Sequence, residues 1–291
     1  MDRDEADPPA PAGARGETVG SAAAAPLPVW TVPVRIAGAV GAVIGGLLLL
    51  TALVGDGAAT DTGTLVLRAV GGSVLTILVA ALAVLLARSV ERSPPQGTQR
   101  TGPAEGWRAF LIGTAAWFLP AALAFGILAL LGAPLSVTAP AGRFWGVLAL
   151  LFLAVLLSEA VPEELVFRGY VTAVLAERLR GWWVVTAQTA AFTLTVLALR
   201  GGLGILDLSL FATMGFCLGY LRMVTGGVWT GVGFHCAFQT GAQLVLTHDI
   251  VGFGGSQPLA MLALGAVPFT AATLLVPALA AKRPDLFARA G

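Results

Sequence analysis

Long apolar runs dominate the chain and are broken at intervals by short polar or Gly/Pro-rich stretches. A helix needs about 20 apolar residues to cross a bilayer. On that length rule the pattern predicts eight spans. They are Ile36–Val54, Ala69–Leu86, Phe110–Leu131, a fourth from Phe144 past Ser158 into a charged stretch, Trp182–Leu199, Leu208–Val224, Val228–Leu246 and Pro258–Ala281. Pro120 predicts a kink in the third. The expected fold class is all-α, a polytopic transmembrane helical bundle of about eight helices.

Composition supports this pattern. Hydrophobic residues make up 57% of the chain and charged residues 11%, with a mean hydropathy of +0.85. Soluble domains carry about a quarter charged residues, and a soluble core of this size could not hide so much apolar surface. Lipid removes the difficulty, since apolar helix faces can point outward. The net charge of +1 gives no nucleic-acid footprint. The partner expected from composition is therefore the lipid bilayer, with no nucleic acid. Cys217 and Cys236 lie in apolar segments and read as small hydrophobes rather than disulfide or metal partners.

Met1 to Pro28 mixes acidic, basic, Pro, Gly and Ala residues and lacks the layout of a signal peptide. It reads as a disordered tail. The segment Arg88–Glu105 is a polar connector rich in Pro, Gly and Ser. The expected organisation is a cytoplasmic tail at 1–30, a two-helix part at 31–90, a linker at 91–106, a six-helix membrane core at 107–281 and a short cytoplasmic tail at 282–291.

Basic residues orient the bundle. With the N-terminus in the cytoplasm, 13 of the 17 Lys and Arg fall in cytoplasmic segments, among them Arg35, Arg108, Arg178, Arg180, Arg222 and Lys282. The outer loops hold Arg68, Arg143 and Arg200, and Arg168 lies inside the chain. Both ends are expected in the cytoplasm of a plasma-membrane protein.

Most charges lie in tails or loops, but Ser158 to Gly169 reads SEAVPEELVFRG between apolar stretches. An ionisable group at membrane depth costs about 2.5–3.5 kcal/mol on insertion scales. Glu164 and Arg168 are spaced i and i+4, so they can pair on one face; Glu159 and Glu163 share that spacing on a neighbouring face. Arg168 can neutralise one carboxylate and leave the other for general-base work. Pro162 can break the helical ladder just before them. The alternative is that the helix has already left the membrane and carries a solvated, interfacial face. His235 lies in the seventh span, one turn before Gln239. A lone histidine there is more often a hydrogen-bonded core residue than a catalyst. Its depth, about two turns from the cytoplasmic end, matches that expected for Glu163 near the end of the fourth span. His248 lies about 20 Å further along and reads as a loop residue on the opposite surface. Gly215 and Gly219 are spaced four apart and read as ordinary helix packing.

At these residues the chain resembles the CAAX-protease and bacteriocin-processing family of intramembrane proteases. Glu163-Glu164-Leu165-Val166-Phe167-Arg168-Gly169 matches its EExxxR motif. Leu218-Gly219-Tyr220-Leu221-Arg222, then Thr225-Gly226-Gly227-Val228-Trp229, then His235 resemble its LGY, TG–W and HxxxN stretches. The resemblance spans roughly Phe144 to Leu246. It implies a peptidase acting near the cytoplasmic face, with Glu163 activating water, Glu164 and Arg168 in support, and His235 assisting or donating to the oxyanion. Gln239 stands where an asparagine is expected; it keeps the amide donor but is one methylene longer. Val196 stands where the family's FxxxH motif places histidine. No cofactor is expected: zinc wants three protein ligands and an open position, and this layer offers one histidine besides carboxylates. Two further readings stay open. One is a catalytically silent member that binds or scaffolds a membrane partner, with Val196 and Gln239 as its motive. The other is a small proton-coupled transporter, which also buries carboxylates; its usual paired interrupted helices are not found here.

Overall fold

The computed structural model describes residues 28–55, 61–89, 103–202, 204–246 and 250–287. The tail up to residue 27, most of the linker and His248 lie outside the described residues. The eight expected spans are all helices: α1 Thr31–Val54, α2 Thr62–Ser89, α3 Pro103–Leu130, α4 Ala141–Ala176, α5 Trp182–Arg200, α6 Ile205–Thr225, α7 Trp229–Leu246 and α8 Gln257–Lys282. A short 3₁₀ turn, Pro284–Phe287, follows. α3 continues through Pro120 without a break.

Among the described residues, seven of these helices are long and apolar enough to cross a membrane; α7 is not among them. It carries Thr230, His235, Gln239, Thr240 and Gln243. Its burial accounts for this. From Thr230 to Phe238 every residue of α7 is buried, so its polar side chains face other helices rather than lipid. The outer helices show the reverse, with Leu48, Leu49, Val70, Ile77, Leu119 and Leu123 all exposed. A bundle is greasy outside when lipid is its solvent.

Two helix ends follow directly from glycine. Gly201 closes α5 with φ 65° and donates its N–H to Leu197 O; Gly226 closes α6 with φ 75° and donates to Arg222 O. Only glycine adopts this left-handed cap without cost. One element was not announced by the hydropathy pattern. Strands β1 (Leu135–Val137) and β2 (Val251–Phe253) pair antiparallel, with Leu135 opposite Phe253 and Val137 opposite Val251. This strip ties the α3–α4 connection to the α7–α8 connection at one end of the bundle.

The N-terminal hairpin α1–α2 packs directly on α4. At one end Arg35 makes a bidentate pair with Glu177, both bonds 2.9 Å, and its Nε lies 3.4 Å from the Tyr170 hydroxyl. Further along, a Cβ on Gly72 would lie 2.7 Å from the backbone of Ser158.

The tightest approach is between α3 and α7. A Cβ on Gly113 would collide with the carbonyl oxygen of Thr230, and one on Gly233 with that of Phe110. The two glycines thus let two backbones touch, which is how membrane helices associate when both sides are apolar. Replacing Gly113 with Ala is expected to destabilise the protein by about 1–3 kcal/mol, the usual cost of overpacking. Gly126→Ala in the same helix, where nothing lies within 4 Å, is expected to be neutral. Thermal unfolding of the two variants in detergent checks this.

Candidate active site

The charged stretch of the fourth span lies within α4, which continues to Ala176. The solvated-face alternative therefore fails: Glu164 and Arg168 are fully buried and Glu163 is mostly so. The longer helix also moves Glu163 away from the helix end and into the middle. Around it the helix is not regular. Leu156–Ala160 and Leu165–Val171 are wide π-type turns flanking the short α-helical Val161–Glu164. Pro162 contributes no N–H to the ladder, and wide turns of this kind cluster at functional sites.

The two neighbouring glutamates have opposite surroundings. Glu164 Oε1 accepts from Arg168 Nη1 at 2.9 Å and lies 3.1 Å from His235 Nδ1. All three side chains are fully buried. Arg168 also donates from Nη2 to the Gly215 carbonyl at 3.3 Å, and its guanidinium lies 4.6 Å from the centre of the Phe192 ring. A carboxylate paired with arginine can only accept, so His235 donates its Nδ1 proton to Glu164. That assignment follows from the hydrogen-bond partners. It leaves Nε2 pointing the other way, 3.9 Å from Glu163 Oε2.

Glu163 accepts no hydrogen bond from any described residue. It instead lines a cavity of about 860 Å³, together with Val196, Gln239 and Phe192. The structure thus brings Glu163, Glu164, Arg168 and His235 into contact. Gln239 faces the same cavity without bonding to them. Val196 is also in its wall, so the position where a histidine was expected does face the cavity that Glu163 lines.

Glu159, one turn earlier, belongs to a second cluster. Its Oε1 accepts from Arg68 Nη2 and, at 3.2 Å, from Gln243 Nε2; Arg68 Nη1 in turn donates to Gln243 Oε1 at 3.0 Å. Arg68 was expected in a loop. α2 begins seven residues before Ala69, so Arg68 is a helical residue turned onto α4. Neither this ring nor the role of Gly231 was foreseen. A Cβ on Gly231 would lie 2.7 Å from Glu164 Oε2, so the glycine leaves room for the buried carboxylate. Gly215 and Gly219 do serve packing, against Thr189 and Phe192 and against Val185 and Gln188. Cys217 and Cys236 are free and buried.

Zinc does not fit these residues. Among the described residues no three of His, Cys, Asp and Glu converge as ligands, His235 Nδ1 is committed to Glu164, and Val196 has no donor atom.

Residues 144–241 match the family model described as type II CAAX prenyl endopeptidase Rce1-like. Helices α4 to α7 span this match. The match takes in about a third of the chain and contains Glu163, Glu164, Arg168, Val196, His235 and Gln239. No curated protein and no solved structure matches the chain. With this match and seven apolar helices among the described residues, the protein is a multi-pass membrane protein. Arg68 and Arg35, which brace α4, lie outside the matched stretch.

Removing one partner of a buried ion pair strands the other charge and costs about 3–5 kcal/mol. Arg168→Met is therefore expected to destabilise the helical core by that amount. The double variant Glu164→Gln/Arg168→Met is expected to recover part of the loss. Unfolding in detergent measures both, and a double variant as unstable as the sum of the single ones contradicts the pairing.

Proposed function

We propose that the protein is an intramembrane peptidase in which Glu163 activates water to attack a peptide bond. The observation carrying this is the division of labour between two adjacent glutamates. Glu164 is locked by Arg168 and His235, whereas Glu163 has no hydrogen-bond donor among the described residues and faces a cavity. A carboxylate without a hydrogen-bond donor among the described residues, beside a cavity large enough for water and substrate, is placed for general-base work.

In the proposed reaction Glu163 takes a proton from water as the water oxygen bonds to the substrate carbonyl carbon. The carbonyl becomes a tetrahedral oxyanion. Glu163 then returns the proton to the departing nitrogen as the C–N bond breaks, giving a carboxylic acid and an amine. His235 Nε2, 3.9 Å from Glu163, is one water-mediated contact away, and Glu164 keeps its ring oriented. The Gln239 amide is the donor in the cavity for the oxyanion. The setting proposed is the plasma membrane with both chain ends in the cytoplasm, an orientation that the distribution of basic residues supports. The partners proposed are lipid and a peptide or protein substrate, with no nucleic acid.

Val196 favours a second reading, a silent member that binds a membrane partner. Losing one oxyanion-type donor costs about 10²–10³ in rate. Three proteins in proteoliposomes with a peptide library separate the readings. The peptidase reading expects wild type to cleave and Glu163→Gln to lose about 10²–10⁴ in rate with unchanged thermal stability. Cleavage equal in both ends that reading. Cleavage by Val196→His alone establishes the silent one.

A further inference from the structure

The cavity that Glu163 lines has a direction. Its remaining wall includes Thr51 at the end of α1, Arg68 near the start of α2, Arg200 at the end of α5, Asp207 at the start of α6, Leu246 at the end of α7 and Gln257 at the start of α8. Every one of these positions lies toward the same end of the bundle, the end tied by the β1–β2 strip. Each helix contributes to the cavity only on that side of the site. From α7 the wall takes Phe238, Gln239 and Leu246 but nothing before Phe238; from α5 it takes nothing before Phe192.

Toward the other end the site is sealed. Beyond Glu163 on α4 come Phe167, Arg168, Tyr170 and Val171, none more than 6% exposed. Leu218 and Leu221 of α6 are completely buried beside them. A smaller cavity of about 210 Å³ does open at that end, between α4, α5 and α6, around Thr172, Gln188 and Arg222. It shares no wall residue with the first.

The sealed end is the basic one. Among the described residues Arg35, Arg108, Arg178, Arg180, Arg222, Lys282 and Arg283 all belong to it. Cytoplasmic segments carry that excess. The open end carries Arg68, Arg143 and Arg200. Arg68 is already engaged by Glu159 and Gln243. The mouth therefore offers charges of both signs and amides, over a floor of Phe192, Phe211 and Phe238. That suits the polar backbone of an extended peptide with an apolar side chain directed inward.

We infer that substrate reaches Glu163 from the non-cytoplasmic face, so that the substrates are exported or membrane-anchored polypeptides cut in a segment lying beyond the cytoplasmic leaflet. This rests on the reading of Glu163 as the base. It departs from the expectation of chemistry near the cytoplasmic face, which rested on depth along one helix and not on where the cavity leads. A cytoplasmic protein's C-terminal tail would meet the sealed end.

Access is read by thiol labelling, which needs no cleavage. Val196→Cys, Gln257→Cys and Arg180→Cys are each made in the full chain and treated with a membrane-impermeant maleimide, in intact cells and in inverted vesicles. Wild type serves as blank, since Cys217 and Cys236 are 1% and 0% exposed. The expected result is labelling of Val196→Cys and Gln257→Cys in intact cells, and of Arg180→Cys only in inverted vesicles. Val196→Cys labelled from the side that labels Arg180→Cys, or from neither side, overturns the inference. A silent protein would still give the expected labelling, so failure of proteolysis is scored separately by Glu163→Gln. Where Glu163-dependent cleavage exists, peptide supplied outside intact cells is cut and the same peptide supplied to inverted vesicles is not; the opposite sidedness also overturns it.

Discussion

The buried contact of Glu164 with Arg168 and His235 is the constraint around which the core is arranged. Three ionisable side chains without solvent contact are tolerable only as a set, because an isolated charge in such surroundings has no water to stabilise it. Their mutual satisfaction fixes which helices must meet. Arg168 reaches the Gly215 carbonyl on α6 and the Phe192 ring on α5, while His235 comes from α7. The Glu164–Arg168–His235 cluster thus joins four helices. Gly231 has to be small because a carboxylate oxygen occupies the space its side chain would need.

That cluster also explains why the neighbouring glutamate is available. In a helix adjacent residues point about 100° apart, so Glu163 and Glu164 approach His235 from different sides, Glu164 at Nδ1 and Glu163 nearest Nε2. With Glu164 directed into the bundle, Glu163 is turned toward the cavity. The wide turns on either side of Val161–Glu164 belong to this arrangement, since Pro162 supplies no N–H where a regular ladder would need one.

The hairpin α1–α2 lies outside the matched family stretch yet is bonded to α4 at both ends, through Arg35–Glu177 and Arg68–Glu159. These are partly buried pairs, less screened than surface ones. Glu159 lies in the same cavity wall as Glu163, and the guanidinium of Arg68 gives it a partner of opposite charge. The hairpin is thereby part of the wall around the site rather than a separate appendage.

Much of this was legible in the chain itself. Apolar run length is a local property, so eight helices and the membrane setting could be counted without a fold. The spacing of Glu164 and Arg168 is also local, and i to i+4 pairing follows from helical geometry alone. The resemblance located His235 and drew attention to Val196. What the chain could not state were relations between distant segments. Arg68 and Glu159 are 91 residues apart, and nothing in either stretch names the other. The polar character of α7 looks like a weak membrane span until packing shows it enclosed by its neighbours. Depth along a single helix suggested a cytoplasmic site, whereas the path of the cavity depends on where six helix ends converge. Local sequence sets which helices form and which faces carry charge. Only the packing of those faces decides which carboxylate is locked, which is free, and toward which end the free one opens.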